Sequence, residues 1–236
     1  TQLQGKALMP GEFFSIFEKE HLSLRLSPEE FLPHILLQCD ADDLATFGEG
    51  YWSDHWHYVL DLIEMGLAIF PEQKASFLFY EDTYYYYDSP AYVASRSEKL
   101  VSFKGQLRQF KAVRESSDKK FLMSTRSQYP HRARSKSGRG DVYYTTAFIK
   151  LLTVYLNKLA SLDPEQKGVS MDSDKPNWYD ALNGFPGLLG SSLSETIELK
   201  RLGLFLLSAL PLCNKNELAC PIRLYEFYEN LNSLVD

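Results

Sequence analysis

The chain has 236 residues, 44% of them hydrophobic and 14% aromatic, which is enough apolar material for a sizeable core. It carries 25 basic against 31 acidic side chains, and the net charge of −6 argues against a general nucleic-acid surface. No run of about 18 apolar residues occurs, so no membrane-spanning helix and no membrane partner are expected.

Three cysteines, Cys39, Cys213 and Cys220, make neither an even disulfide framework nor a C-x-x-C metal spacing. They are expected as buried small apolar groups in a reducing, cytoplasmic setting. The first ten residues begin with Thr and have no signal-peptide layout, so the chain is expected to be a processed product or part of a longer one.

Residues 1–27 hold short apolar pieces such as Phe13, Phe14, Ile16 and Phe17 without a long period. Ser27-Pro28-Glu29-Glu30 then predicts a helix start: a Ser cap, Pro in the first turn and acids at the positive end. This helix is expected to run to about Gln38. The stretch Asp40 to His57 packs acids, glycines, Trp52, Trp56, His55 and His57 closely together. A helix capped by Ser53 or Asp54 is expected to follow, with Trp56, Val59, Leu60, Ile63 and Leu67 on one face up to Pro71. Asp54, His55 and His57 could ligate a metal, but spacing i, i+1, i+3 does not put all three on one face, so no metal is expected. Rings beside carboxylates suit a sugar better, because pyranose faces stack on aromatics while acids take the hydroxyls.

From residue 77 to residue 113 the period changes. Phe77 to Tyr80, Thr83 to Tyr87, Leu100 to Phe103 and Gln106 to Val113 predict a β insertion, with Lys104-Gly105-Gln106 as a hairpin turn. The run Tyr84 to Tyr87 is read as strand with cross-strand aromatic pairing, or as the lining of a cleft. Residues 126–140 carry Arg126, His131, Arg132, Arg134, Lys136 and Arg139 with no apolar period. In an acidic chain such a loop suggests an anion (phosphate, a carboxylate or an acidic neighbour) or else a solvated, mobile loop.

A long helix is expected from Asp141, with Val142, Phe148, Leu151, Leu152, Val154, Tyr155 and Leu159 on its apolar face and Asp163-Pro164 as its end. The stretch from Lys175 to Ser194, K-P-N-W-Y-D-A-L-N-G-F-P-G-L-L-G-S-S-L-S, follows an acidic loop. Gly184, Pro186, Gly187 and Gly190 are turn punctuation, so Trp178, Asp180 and Asn183 are expected on a loop at the mouth of a helix pair. The bland alternative is a helix connection whose Trp plugs the core. Further helices are expected from Ser194 to Leu210 and from Pro221 to Leu234.

Two of these stretches resemble one family. N-W-Y-D-A-L-N-G, continued by G-S-S-L-S-E-T, is similar to the D-W-N-D segment of the inverting disaccharide phosphorylases of the cellobiose phosphorylase type. Gly50 to Glu64, G-Y-W-S-D-H-W-H-Y-V-L-D-L-I-E, resembles their sugar-contacting helix start. The resemblance implies a mainly α fold, part of an (α/α)6 barrel of helical hairpins, with the 77–113 segment inserted. It implies one helical domain over 1–236, as a fragment or the C-terminal part of a larger catalytic domain.

It also implies a carbohydrate-active enzyme that cleaves di- or oligosaccharides by phosphorolysis, with Asp180 as general acid. Trp52, Asp54, Trp56, Asn177, Trp178, Asn183 and Glu195 would bind the sugar, and His131, Arg132, Ser191 and Ser192 the phosphate. Inorganic phosphate would be the co-substrate, with no other cofactor. Such an acid must keep its proton near neutral pH, so burial beside Trp178 and Tyr179 should raise its pKa. An inverting hydrolase of the same fold would need a second carboxylate to activate water, for which Glu49, Asp54 and Glu195 are candidates. Other readings are a non-catalytic carbohydrate-binding module and an interaction domain that uses the basic loop. The expected partners are an oligosaccharide and the remainder of a longer chain or a second copy.

Overall fold

Ser27 sets the first well-defined boundary in the chain. Its hydroxyl accepts from the Glu30 amide at 3.3 Å, and the Glu30 carboxylate accepts from the Ser27 amide at 3.0 Å, a reciprocal pair that closes the start of a helix. The computed structural model describes residues 10–39, 55–109, 113–170 and 190–233. The chain divides into two compact units, residues 1–44 and 45–236.

In the first unit, α1 (Pro10–Lys19) and α2 (Pro28–Leu36) are helices. The rings of Phe13 and Phe17 lie 6.4 and 6.2 Å from Phe31, so the aromatics that show no long period do have a common contact.

The second unit is built on α3 (Trp56–Ile69), α7 (Ala147–Leu159), α8 (Leu193–Ala209) and α9 (Ile222–Asn232). Shorter pieces lie between them: α4 (Arg96–Lys99), α5 (Ser117–Ser124) and α6 (Ser135–Gly138). The described chain is therefore mainly α. Its strands form two-stranded antiparallel pairs: β1 (Tyr84–Tyr85) with β6 (Tyr144–Thr145), β2 (Ala91–Val93) with β5 (Val113–Glu115), β3 (Leu100–Phe103) with β4 (Gln106–Gln109), and β7 (Val169–Ser170) with β8 (Ser191–Ser192). The β3–β4 hairpin turns through Lys104 and Gly105, with φ of 50° and 73°, at the place the sequence predicts.

The core joins Leu60 of α3, Phe148, Ile149 and Leu156 of α7, Leu202, Phe205 and Leu206 of α8, and Leu224 of α9. Each such side chain, fully buried, contributes on the order of 1.5–3 kcal/mol. At Gly203 a Cβ would meet the Tyr155 ring at 2.9 Å, so α7 and α8 approach as closely as they do only because position 203 has no side chain.

Three expectations change. Residues 76–80 form a wide helical turn, not a strand. The adjacent Leu78 and Phe79 are both fully buried, which a half-buried strand with alternating faces cannot arrange. The long helix starts at Ala147 rather than Asp141, because the Thr146 hydroxyl caps it by accepting from the Ile149 amide at 3.3 Å. Ahead of it, Tyr144 and Thr145 pair with β1, and Val142 bridges Arg134. Finally, Cys39 is exposed and Cys213 and Cys220 are only partly covered, so none of the free thiols is the buried apolar group expected. Among the described residues, no helix is long and apolar enough to cross a membrane.

Candidate functional site

The start of α8 gathers most of the described candidate residues. The Ser192 hydroxyl caps the helix by accepting from the Glu195 amide at 3.3 Å. That puts Glu195 in the first turn, where the helix dipole favours a carboxylate. Glu195 is 3% exposed. Its Oε1 accepts from Trp56 Nε1 at 3.3 Å and is ion-paired with Lys158 near the end of α7. The Lys158 ammonium also stands 6.0 Å from the centre of the Trp56 ring. A buried carboxylate thus orients the indole, and a lysine supplies the countercharge that a buried acid needs.

Ser191, one residue before the cap, is exposed, and its hydroxyl donates to Asp163 Oδ2 at 2.5 Å. Asp163 also accepts from the amides of Glu165, Lys167 and Gly168, at 2.9, 3.2 and 2.8 Å. The Ser191 hydroxyl first of all holds the Asp163 carboxyl below its ordinary value; desolvation opposes this, and the backbone amides of Lys167, Glu165 and Gly168 add to the lowering. The loop after α7 is therefore tied to the β7–β8 pair. Thr196 adds to this tie: its hydroxyl accepts from the Val169 amide at 3.0 Å and donates to the Ser192 carbonyl at 2.6 Å.

His131 and Arg132 belong to a different network. The His131 ring stacks on Tyr87 at 5.3 Å with 4° between planes, and its Nδ1 lies 3.2 Å from the Asp88 carbonyl. The Arg132 guanidinium sits between the rings of Tyr85 and Tyr129, 4.2 and 3.9 Å from their centres, and donates to the Tyr144 hydroxyl at 3.2 Å. The tyrosine run pairs across strands: Tyr85 meets Tyr144 edge-on at 6.3 Å, and Tyr86 stacks on Tyr143 at 6.3 Å. Two arginines of the basic loop are held by the fold, while Lys136, Ser137 and Arg139 are exposed. Arg126 donates to Asp88 Oδ2 at 2.8 Å, to the Pro130 carbonyl at 2.6 Å and to the Gly138 carbonyl at 3.1 Å. Arg134 reaches the Gln128 carbonyl at 2.6 Å.

Of the residues expected to contact sugar or phosphate, the structure brings Trp56 and Glu195 into direct contact, with Ser192 beside them as the cap of α8. It puts His131 and Arg132 in the tyrosine–arginine network instead. Trp52, Asp54, Asn177, Trp178, Asp180 and Asn183 lie outside the described residues, as do the candidate base Glu49 and Ser53. The helix expected to be capped by Ser53 or Asp54 begins at Trp56, with His55 as its N-cap residue and, among the described residues, no side-chain cap bond. His57 lies against Tyr58 at 4.2 Å, and among the described residues no group of three possible metal ligands occurs.

Lys158, Asp163 and Asp88 are the functional-looking residues that sequence reasoning misses. Lys158 reads as a solvated charge in the last turn of a helix, and only the fold reveals its partner 37 residues away. The Asp163-Pro164 pair is visible as a helix end, but not as an acceptor for Ser191. The chain matches no family model, no curated protein and no solved structure.

Proposed function

We propose that this chain is part of a carbohydrate-active enzyme that cleaves glycosidic bonds of di- or oligosaccharides by phosphorolysis. In this reading Asp180 is the general acid, and the helices belong to an (α/α)6 toroid of the disaccharide phosphorylase type. One observation carries it: the hydrogen bond from Trp56 to Glu195, residues 139 apart in sequence. The two stretches that resemble the phosphorylases, Gly50 to Glu64 and Asn177 to Thr196, are joined by that bond. Trp56 of the first stretch and Glu195 of the second are thereby neighbours, which supports reading the two stretches as parts of one site.

The chemistry asked of the chain is limited. Asp180 donates its proton to the glycosidic oxygen as the bond breaks, and the attacking group adds to the anomeric carbon from the opposite face. Phosphate needs no base, since it is already a nucleophile; water needs a second carboxylate. Trp56, Trp178 and Trp52 would cover sugar faces, while Asp54, Asn177 and Asn183 would take hydroxyls.

A second reading, hydrolysis on the same framework, is favoured by one feature. Ser191, assigned to phosphate by the resemblance, has its hydroxyl on the Asp163 carboxylate at 2.5 Å. A phosphate at that hydroxyl would stand against a negative charge. For the hydrolytic base, Glu195 is ion-paired and buried, which leaves Asp54 and Glu49.

The test is Asp180→Asn. Loss of a general acid lowers turnover by roughly 10²–10⁴-fold, and the reading expects that loss with an unchanged circular dichroism spectrum and melting temperature. Full activity in the variant would overturn the assignment of Asp180.

A further inference from the structure

The arginine loop frames a cleft of about 430 Å³ against the start of α5. Its lining holds four cations, Lys119, Arg126, Arg134 and Arg139, against two carboxylates, Asp88 and Asp118. Asp88 is already matched: Lys119 Nζ lies 2.6 Å from its Oδ1, and Arg126 2.8 Å from its Oδ2. The lining therefore has cationic charge left over, and Arg139, on the exposed rim, makes no ion pair among the described residues.

The donors are unmatched as well. The Arg126 side chain is 5% exposed, yet among the described residues its Nε has no acceptor, and neither does the buried Nε of Arg134. Buried donors without acceptors are rare in folded proteins and ask for an explanation. The backbone here is also strained. Lys136 and Ser137, neither of them glycine, have φ of 51° and 56°, and Gly138 follows at 89°. Left-handed non-glycine residues cost stability and cluster at ligand clamps. A Cβ at Gly138 would meet Arg126 Nη2 at 3.0 Å, so the turn is shaped around that guanidinium.

We infer that this cleft between α5 and the arginine loop is a binding site for a phosphate group, as inorganic phosphate or as a phosphate monoester. The ligand must be anionic to match the excess cations. It must also carry several acceptor oxygens, because guanidinium forks pair best with such groups. Arg139 and the Ser137 hydroxyl on the rim would meet it first, with Arg134 and Lys119 behind. Nothing in this inference depends on the glycoside reading, and the site is built from residues other than those the resemblance assigns to phosphate.

The experiment is calorimetric titration of the full chain at low salt with inorganic phosphate, glucose 1-phosphate and acetate, in the absence of disaccharide. Saturable binding of a phosphate group is expected, weakening as salt is raised. Arg139→Ala and Ser137→Ala, both at exposed positions, should each weaken it, the arginine by about tenfold. Lys74→Ala, a cation on the α3–α8 face, should not change it. Asp180→Asn should bind phosphate as the wild type does, which separates failure here from failure of the proposed reaction. Tighter binding of glucose 1-phosphate than of phosphate would point to an esterified ligand, and the reverse to free phosphate. The inference is overturned if no phosphate binding saturates, if acetate binds as tightly, or if both rim variants bind unchanged.

Discussion

Lys158→Met is the perturbation that examines the Trp56–Glu195 junction most sharply. The substitution keeps an unbranched chain of similar length, so the packing around the end of α7 changes little, but it removes the countercharge of a carboxylate that is 3% exposed. Breaking a buried pair from one side costs about 3–5 kcal/mol, because the remaining charge stays buried without compensation. Lys158 itself is 18% exposed at the side chain, so the lower end of that range applies. At roughly 2–4 °C per kcal/mol for a chain of this size, melting should fall by about 10 °C. Glu195→Gln should cost less, since an amide oxygen still accepts from the Trp56 indole. In the double variant the buried charge is gone, and the two effects should fail to add by about 2 kcal/mol. The assay is urea unfolding followed by circular dichroism for the four chains. Additive effects, or a Lys158→Met cost below about 1 kcal/mol, would refute the reasoning that this pair is buried and coupled.

Gly203→Ala should destabilise by about 1–3 kcal/mol in thermal unfolding, although Ala is the better helix former, because its Cβ would meet the Tyr155 ring at 2.9 Å. Gly105→Ala should cost about 1 kcal/mol for a different reason: among the described residues nothing crowds the site, but φ is +73°. Asp163 is held below the ordinary carboxylate range, first by the Ser191 hydroxyl, so its support for the 163–168 loop is present above that range and fades as pH falls through the lowered value. Amide protection at Gly168 should drop accordingly in acid, and Asp163→Asn should be lower and flat over the same range. Burial holds the Lys150 ammonium below the ordinary lysine value, so a proton is lost from the folded chain before the unfolded one. Its share of stability should therefore rise with pH across that alkaline window, a slope that Lys150→Met would remove.

Local chemistry is what the sequence exposes well. The capping box at Ser27 and Glu30, the Lys104-Gly105 turn and the helix that ends before Leu210 all rest on residues within four positions of one another. The wide turn at Ser76 to Tyr80 escapes because its three aromatic residues favour strand, and only burial of two neighbouring side chains decides otherwise. Thr146 overrides the helix expected from Asp141 because the strand pairing of Tyr144 and Thr145 with β1 requires partners some 60 residues earlier. At the site, the ring and acid types at Trp56 and Glu195 are readable, but their bond and its lysine are not, since no period links residues 139 and 37 apart. The basic loop shows the same limit: its charges are plain in the sequence, while Asp88 and the carbonyls that hold Arg126 come from the fold.

The central claim is that the segment from Lys175 to Thr196 serves glycosidic-bond cleavage. It is tested most directly by incubating the chain with a panel of α- and β-linked disaccharides, with and without phosphate, and following free sugar and sugar 1-phosphate. Sugar 1-phosphate should appear only when phosphate is present and disappear in Asp180→Asn. Free sugar formed without phosphate would mean that the chain hydrolyses the bond instead. No product from any disaccharide, with the chain folded by circular dichroism, would contradict the claim and leave a helical module without catalysis.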